Sequence, residues 1–262
     1  MSGSRRHFET GGDAYRKHRP VYPRELALFL AGLAPDHELA VDVACGSGQL
    51  TGLLAEHFDS VHAFDISADQ VANAVPHPRV RYGVAAAVDL PLEDDTASLV
   101  TIAQAAHWLD LPPFYAEVRR IARPGAVLAL ITYLPPVLEG ALGPRFTGFY
   151  GQELGAWWPP GREHVIRGGV DLPFPFAELP VPRFRIDRDW SLPEFLGYIE
   201  TWSATKRARA TGHAGTIDAF RDEVREAWGE PQATKRITWP VNLRAGRVSD
   251  DVRPRKDSPR GA

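Results

Sequence analysis

The sequence predicts a doubly wound α/β fold built on a mostly parallel sheet of seven strands. Three observations predict this class. Short apolar runs of strand length alternate with helical segments over the first half of the chain, which is the pattern of βαβ units. One of these runs ends in a glycine turn at 46–48, directly before a helix. Two later segments alternate polar and apolar residues with period two, as strands do.

The first half of the chain contains five of the predicted strands. Pro23 opens an apolar helical stretch, because proline suits the first turn of a helix. Pro124 and Gly125 are predicted to break the chain before the fifth strand. The predicted strands are 39–44, 61–67, 79–84, 97–104 and 126–132, and the predicted helices between them are 49–58, 68–74 and 111–122.

The second half begins with a change of character after Leu134. Prolines, glycines and aromatic residues crowd the segment 135–182, which predicts a cap of short helices and loops inserted after strand five. Beyond the cap, Pro240 in the last strand predicts an edge position or a bulge. We expect one domain over 1–248 and a disordered tail over 249–262. The remaining elements are predicted as strands at 183–191 and 234–248 and as helices at 192–208 and 216–229.

The composition excludes several classes of protein. Thirty basic and 33 acidic residues give a net charge of −3, which argues against a nucleic-acid partner. A single cysteine, Cys45, excludes a disulfide framework and a cysteine-rich zinc site, and no histidines share a metal-ligand spacing. The first ten residues lack the apolar stretch of a secretory signal, so we expect no leader, and no run approaches about 18 apolar residues. We expect a cytoplasmic monomer or homodimer with no membrane partner and no metal.

The glycine turn is the sharpest local feature of the sequence. It reads Asp-Val-Ala-Cys-Gly-Ser-Gly from Asp42 to Gly48. Glycine lacks a β-carbon, so a ligand can approach the backbone closely, and the helix that follows offers free N–H groups. Asp65 closes the second strand, where a carboxylate can accept hydrogen bonds from ribose hydroxyls. A dinucleotide fingerprint would need a third glycine at position 51, which is Thr51 here.

The D-x-x-C-G-x-G spacing followed by Asp65 resembles motif I of the class I S-adenosylmethionine-dependent methyltransferases. The segments YRKHRPVYP at 15–23 and AAHW at 105–108 resemble those of a type 11 subgroup similar to the trans-aconitate methyltransferases. The resemblance covers about residues 13–132. It implies a Rossmann-like methyltransferase fold, S-adenosyl-L-methionine as cofactor and S-adenosyl-L-homocysteine as product.

The resemblance also implies which residues meet the cofactor. The family's acidic residues are missing near Ala86 and Val88, so adenine contacts are expected from backbone groups or from Asp89. The implied cofactor-binding residues are Tyr15, Arg19, Asp42, Ala44, Gly46, Ser47, Gly48, Asp65, Ile66, Ala86, Ala87 and Gln104.

Three residues are candidates for the methyl acceptor's side of the site. His107 follows strand four, where it can act as a general base or as a pocket wall and hydrogen-bond donor. Trp108 can present its π face to the substrate or pack in the core. Tyr22 is a further predicted wall, and Arg19 suits a carboxylate, either of the cofactor or of an acidic substrate.

These residues predict methyl transfer to a small molecule. The acceptor group is expected to be a carboxylate or a hydroxyl in preference to an amine. Three alternatives stay open at this point. The chain could hold the cofactor for a non-methylating step such as a cyclisation, or bind it without catalysis. It could also be an NAD-dependent enzyme, against which the missing third glycine argues.

Overall fold

The computed structural model describes residues 19–248 and confirms the α/β class. Its mixed sheet contains nine strands within the described residues. They are β1 (Leu39–Val43), β2 (Ser60–Asp65), β3 (Val80–Val84), β4 (Ala97–Ala103), β5 (Ala122–Tyr133), β6 (Val137–Leu138), β7 (Ala177–Glu178), β8 (Phe184–Trp190) and β9 (Lys235–Arg247).

The nine strands occupy seven positions across the sheet, the number that the sequence predicts. The order is β3-β2-β1-β4-β5-β9, and the first five of these are parallel. The antiparallel β9 pairs with β5 and then β6 along one side. It pairs with β7 and β8 along its other side, because Val241 faces both Tyr133 and Phe184. From β1 the chain continues to β2 and β3 on one side and later to β4 and β5 on the other. The carboxyl ends of β1 and β4 therefore flank the crevice where ligands bind in such sheets.

Helices cover both faces of this sheet. Successive residues of a strand point to opposite faces, so Leu99 belongs to the hydrophobic core on one face and Val100 to the core on the other. The helices are α1 (Arg24–Leu33), α2 (Thr51–Leu54), α3 (Ala68–Ala72), α4 (Leu111–Ile121), α5 (Leu142–Gly148), α6 (Arg162–Ile166), α7 (Leu192–Glu200), α8 (Ser203–Ala210) and α9 (Ala214–Trp228).

Two predicted boundaries are wrong because tertiary packing overrides the local signal. The fifth strand begins at Ala122, before the Pro124–Gly125 breaker. Ala97 pairs with Ala122 and Leu99 pairs with Val127, so the residues between them bulge out of the ladder. The single helix predicted over 192–208 is two helices, since the buried Trp202 is extended and packs edge-on against neighbouring rings.

The predicted edge position of Pro240 is also wrong, because β9 lies inside the sheet. Pro240 pairs with Arg185 on one side. On the other side it lies where the neighbouring strand changes from β5 to β6, and its carbonyl accepts a hydrogen bond from the Leu134 amide at 2.8 Å. The interruption of the ladder at that point lets an inner strand accommodate a residue with no N–H to donate.

Among residues 19–248, no helix combines the length and the apolar character that a membrane crossing requires. The predicted tail at 249–262 lies outside the described residues, as does Tyr15.

Candidate active site

A cavity of about 530 Å³ opens at the carboxyl ends of β1, β2 and β4. This volume is in the range of small-molecule sites. The structure brings nine of the predicted site residues to its wall, which are Arg19, Tyr22, Asp42, Ala44, Gly46, Asp65, Ile66, Gln104 and Trp108.

The glycine turn and Asp65 form one hydrogen-bonded unit in this wall. The Asp65 carboxylate accepts a hydrogen bond from the Gly46 amide at 2.9 Å and another from the Ser67 amide at 2.8 Å. Ala44 and Gly46 have φ angles of +53° and +56°, so the chain leaves β1 in the left-handed region. Because a carboxylate has about four acceptor positions, Asp65 retains capacity for a ligand's hydroxyl groups.

Asp42 lies beneath the turn and is almost completely buried. Its two carboxylate oxygens accept hydrogen bonds from the Thr51 hydroxyl at 2.6 Å and the Thr101 hydroxyl at 2.8 Å. Burial raises the pKa of Asp42 to about 6, although both hydroxyl donors act in the opposite direction. The two threonines therefore hold Asp42 in a fixed orientation, and β1 is tied to β4 and α2 through it.

Three buried polar atoms near the turn have no hydrogen-bond partner among residues 19–248. They are the Ser47 hydroxyl, one carboxylate oxygen of Asp69 and the Gln70 side-chain oxygen, and both Asp69 and Gln70 line the cavity. A buried polar atom without a partner costs free energy, so a polar ligand at this position removes a penalty. Ile66 lies beside them with more than half of its surface exposed, which suits the flat face of a base. The wall thus fits a ligand with a ribose, a base and a polar tail.

Four predicted cofactor residues do not line the cavity: Ser47, Gly48, Ala86 and Ala87. Gly48 has a φ of +88°, and a β-carbon there would collide with the hydroxyl of Tyr82. This contact explains the second glycine by packing rather than by ligand approach. Ala86 forms an isolated bridge with Asp89 in the loop after β3.

Arg19 and Gln104 converge on Tyr133, the last residue of β5. The Arg19 guanidinium donates a hydrogen bond to the Tyr133 hydroxyl at 3.0 Å and lies 5.5 Å from the centre of the Tyr198 ring. The side-chain amide nitrogen of Gln104 donates a hydrogen bond to the backbone carbonyl of Tyr133 at 2.7 Å. Gln104 also has a φ of +57°, a conformation that costs a non-glycine residue free energy and that clusters at functional sites.

His107 and Trp108 form a short 3-10 turn after β4, and only Trp108 lines the cavity. The His107 ring packs against Trp108 with the ring centres 4.9 Å apart, and its loop contacts the turn at Gly161. Burial, with the nearby Arg162 charge, lowers the pKa of His107 to about 4. The imidazole is therefore neutral at physiological pH, and it packs behind Trp108, outside the cavity wall.

Sequence reasoning missed several residues of the cavity wall, and two of them, Gln70 and Tyr133, bear on the site. Gln70 is the third residue of α3, and Ser67 caps that helix by accepting a hydrogen bond from the Gln70 amide. Its place in the first turn of the helix that follows Asp65 could have indicated that it lies near the site. Tyr133 carries a weaker signal. It is the last residue of a strand whose carboxyl end faces the crevice, and it was overlooked because the predicted strand ended at 132.

Comparison with known proteins agrees with this geometry. The methyltransferase domain family of type 11 matches residues 41–130. A solved structure of a candidate type II methyltransferase from Anaeromyxobacter dehalogenans is 43% identical with a TM-score of 0.82, over 88% of this chain and 98% of the other. A candidate methyltransferase of Dictyostelium discoideum is 27% identical over 225 residues, which are 84% of this chain and 86% of the relative. An uncharacterised methyltransferase of Mycobacterium tuberculosis is 35% identical over 127 residues, 47% of this chain and 51% of the relative.

Proposed function

The chain belongs to the class I S-adenosylmethionine-dependent methyltransferases, and from this membership we propose that it methylates a small molecule. The observation that carries the proposal is the cavity at the carboxyl edge, where the glycine turn, Asp65 and the unpartnered Gln70 oxygen face one space. When bound, S-adenosylmethionine supplies a methyl group on a positively charged sulfur.

The residues of the turn are proposed to hold the cofactor's nucleoside half. Asp65 accepts the ribose hydroxyls while it keeps Gly46 and Ser67 in place. Ile66 covers a face of the base. Arg19 and Gln104, on the opposite wall, are proposed to bind the polar tail, since a guanidinium matches a carboxylate. The proposed roles of Tyr15, Ser47, Gly48, Ala86 and Ala87 stay predictions.

The acceptor is proposed to enter between Tyr22, Trp108 and Tyr133, which line the cavity. A carboxylate acceptor loses no proton, so these residues need only orient it and exclude water. A hydroxyl acceptor must lose a proton, and an amine must be unprotonated. We propose that the acceptor group is a carboxylate or a hydroxyl in preference to an amine. We also propose that residues 1–248 form one domain, in which residues 135–182 are the cap over the acceptor's end of the cavity.

We expect isothermal titration calorimetry to detect S-adenosylhomocysteine and S-adenosylmethionine binding to the purified chain, and no NAD binding under the same conditions. The reason is that the turn lacks the third glycine that a pyrophosphate-binding loop requires. A mass increase of about 14 Da in a metabolite pool incubated with S-adenosylmethionine would then identify the acceptor. Binding of NAD without S-adenosylhomocysteine would contradict the proposal.

We expect His107→Ala to lower turnover by less than about tenfold, equally at every pH from 6 to 9. The ring lies outside the cavity wall and its pKa of about 4 keeps it neutral throughout that range. This geometry supports packing behind Trp108 over the general-base role, and the predicted roles of His107 as base, pocket wall or hydrogen-bond donor stay predictions. Steady-state kinetics of the wild type and variant, with Trp108→Phe as the wall control, decide between them. A loss of 10²-fold or more that shrinks at high pH would support the base instead.

A further inference from the structure

The side-chain oxygen of Gln70 is a buried hydrogen-bond acceptor that no group among residues 19–248 uses. Gln70 is only 6% exposed, and it lines the cavity. A buried acceptor that has lost its water and found no donor destabilises the unliganded chain, and a donor on a bound ligand relieves that penalty. The oxygen therefore indicates a ligand with an O–H or N–H group at this position.

Local hydrogen bonds hold this oxygen beside the glycine turn. The Asp65 carboxylate accepts hydrogen bonds from the Gly46 amide at 2.9 Å and from the Ser67 amide at 2.8 Å. The Ser67 hydroxyl in turn accepts one from the Gln70 backbone amide at 3.3 Å. A β-carbon built on Gly46 would lie 3.7 Å from the Gln70 oxygen. Gly46 thus has the Asp65 carboxylate at its amide and the Gln70 oxygen beside its α-carbon, so the two acceptors are neighbours in the wall.

Two neighbouring acceptors match the two hydroxyl groups that a ribose carries on adjacent carbon atoms, since each hydroxyl donates one hydrogen bond. Asp65 is already the proposed acceptor for the ribose, and the cofactor's polar tail is proposed to lie at the opposite wall with Arg19 and Gln104. We propose that the Gln70 oxygen accepts a hydrogen bond from one ribose hydroxyl while Asp65 accepts from the other. This inference rests on the proposed function and deepens it, because it makes the site specific for a ribonucleoside over a deoxyribonucleoside.

Asp69, the residue before Gln70, is the competing acceptor on the same helix. One of its carboxylate oxygens is also buried without a partner among residues 19–248, and Asp69 lines the cavity too. Its other oxygen accepts a hydrogen bond at 3.4 Å from the side chain of Asn73, at the C-terminal end of α3. Asp69 has no atom within 4 Å of a β-carbon built on Gly46. Contact with the glycine turn therefore favours Gln70, and Asp69→Asn is the variant that compares the two.

The test is a double-mutant cycle between Gln70 and the ligand's hydroxyls, measured by calorimetry. The probes are S-adenosylhomocysteine, its 2′-deoxy and 3′-deoxy analogues, and 5′-methylthioadenosine, which lacks the amino-acid tail. The wild type should bind each deoxy analogue at least about tenfold more weakly than S-adenosylhomocysteine.

Gln70→Met keeps the length of the side chain and removes the acceptor. We expect this variant to bind S-adenosylhomocysteine about tenfold more weakly than the wild type does, and to bind one of the two deoxy analogues as tightly as the wild type binds it. Its affinity for 5′-methylthioadenosine should fall by the same factor, because that probe keeps both ribose hydroxyls. Gln70→Ala serves as the test if Gln70→Met does not fold.

Two further variants control this experiment. Gln232→Met makes the same substitution at an exposed position between α9 and β9, so it should leave all four affinities unchanged. Gln70→Glu keeps an acceptor oxygen on a side chain of nearly the same length. It should therefore retain the discrimination between ribose and deoxyribose that Gln70→Met loses.

Several results would overturn the inference. Equal binding of all three homocysteine probes to the wild type would show that no hydroxyl is recognised. An equal loss for these probes in Gln70→Met would show that the glutamine shapes the loop without meeting a hydroxyl. A loss absent with 5′-methylthioadenosine would assign the oxygen to the amino-acid tail, and loss of discrimination in Asp69→Asn alone would assign the hydroxyl to Asp69.

The proposed function fails separately from this inference. If the wild type does not bind S-adenosylhomocysteine, the proposed function is refuted, and adenosine with its 2′-deoxy and 3′-deoxy forms is then titrated into the same variants. Discrimination among these nucleosides that depends on Gln70 would support the ribose contact, and its absence would overturn it.

Discussion

Asp65→Ala is expected to weaken S-adenosylhomocysteine binding by about 10²-fold. The substitution removes the proposed ribose acceptor and leaves the Gly46 and Ser67 amides without their partner. An unsatisfied buried hydrogen-bonding group costs about 1–3 kcal/mol, and a lost acceptor of a ligand's hydroxyls adds to that cost. Calorimetry with S-adenosylhomocysteine measures the change, and the thermal midpoint checks that the fold survives.

Asp59→Ala is the matched control for this prediction. Asp59 is an exposed acid that directly precedes β2, at the opposite end of the strand from Asp65. Its substitution should leave the cofactor affinity unchanged. An Asp65→Ala variant whose affinity stays within about threefold of the wild type would show that this carboxylate organises the loop without contacting the cofactor.

Gly46→Val is expected to reduce cofactor affinity by about 10²-fold and to lower stability by about 1–3 kcal/mol. The φ of +56° is unfavourable for any residue with a β-carbon and worst for a β-branched one. The nearest atom to a β-carbon at position 46 is the Gln70 oxygen, at 3.7 Å. Alanine is therefore tolerated sterically, whereas the two methyl groups of valine extend into the space that the ligand is proposed to use.

The series Gly46→Ala, Gly46→Val and Gly52→Ala separates strain from obstruction. Gly46→Ala should show most of the stability loss and a smaller loss of affinity. Gly52 lies in α2 with open space around it, so Gly52→Ala should leave affinity unchanged and raise the thermal midpoint slightly. Equal affinity of Gly46→Val and the wild type for S-adenosylhomocysteine would contradict the proposed cofactor site.

The sequence alone predicted that the glycine turn and Asp65 would lie together at one edge of the sheet, because the signals for them are local. A strand, a glycine turn and a helix are adjacent in the chain, and the left-handed conformation at position 46 is a property of that residue type. Asp65 ends the next strand, and parallel strands end at the same edge of a sheet. The family resemblance over about 13–132 depends on the same short-range spacing, and the match at 41–130 agrees with it.

The part of the structure around the proposed acceptor site depended on tertiary structure, because its residues meet only through packing. Arg19, Gln104 and Tyr133 lie far apart in the sequence, and only the fold lets the first two donate hydrogen bonds to the third. His107 shows the same dependence. Its neighbour Trp108 points into the cavity while the histidine packs behind it, and this choice depends on contacts with the distant turn at Gly161. Local spacing determined that the glycine turn and Asp65 meet at one edge of the sheet, and long-range side-chain packing decided which side chains line the rest of the cavity.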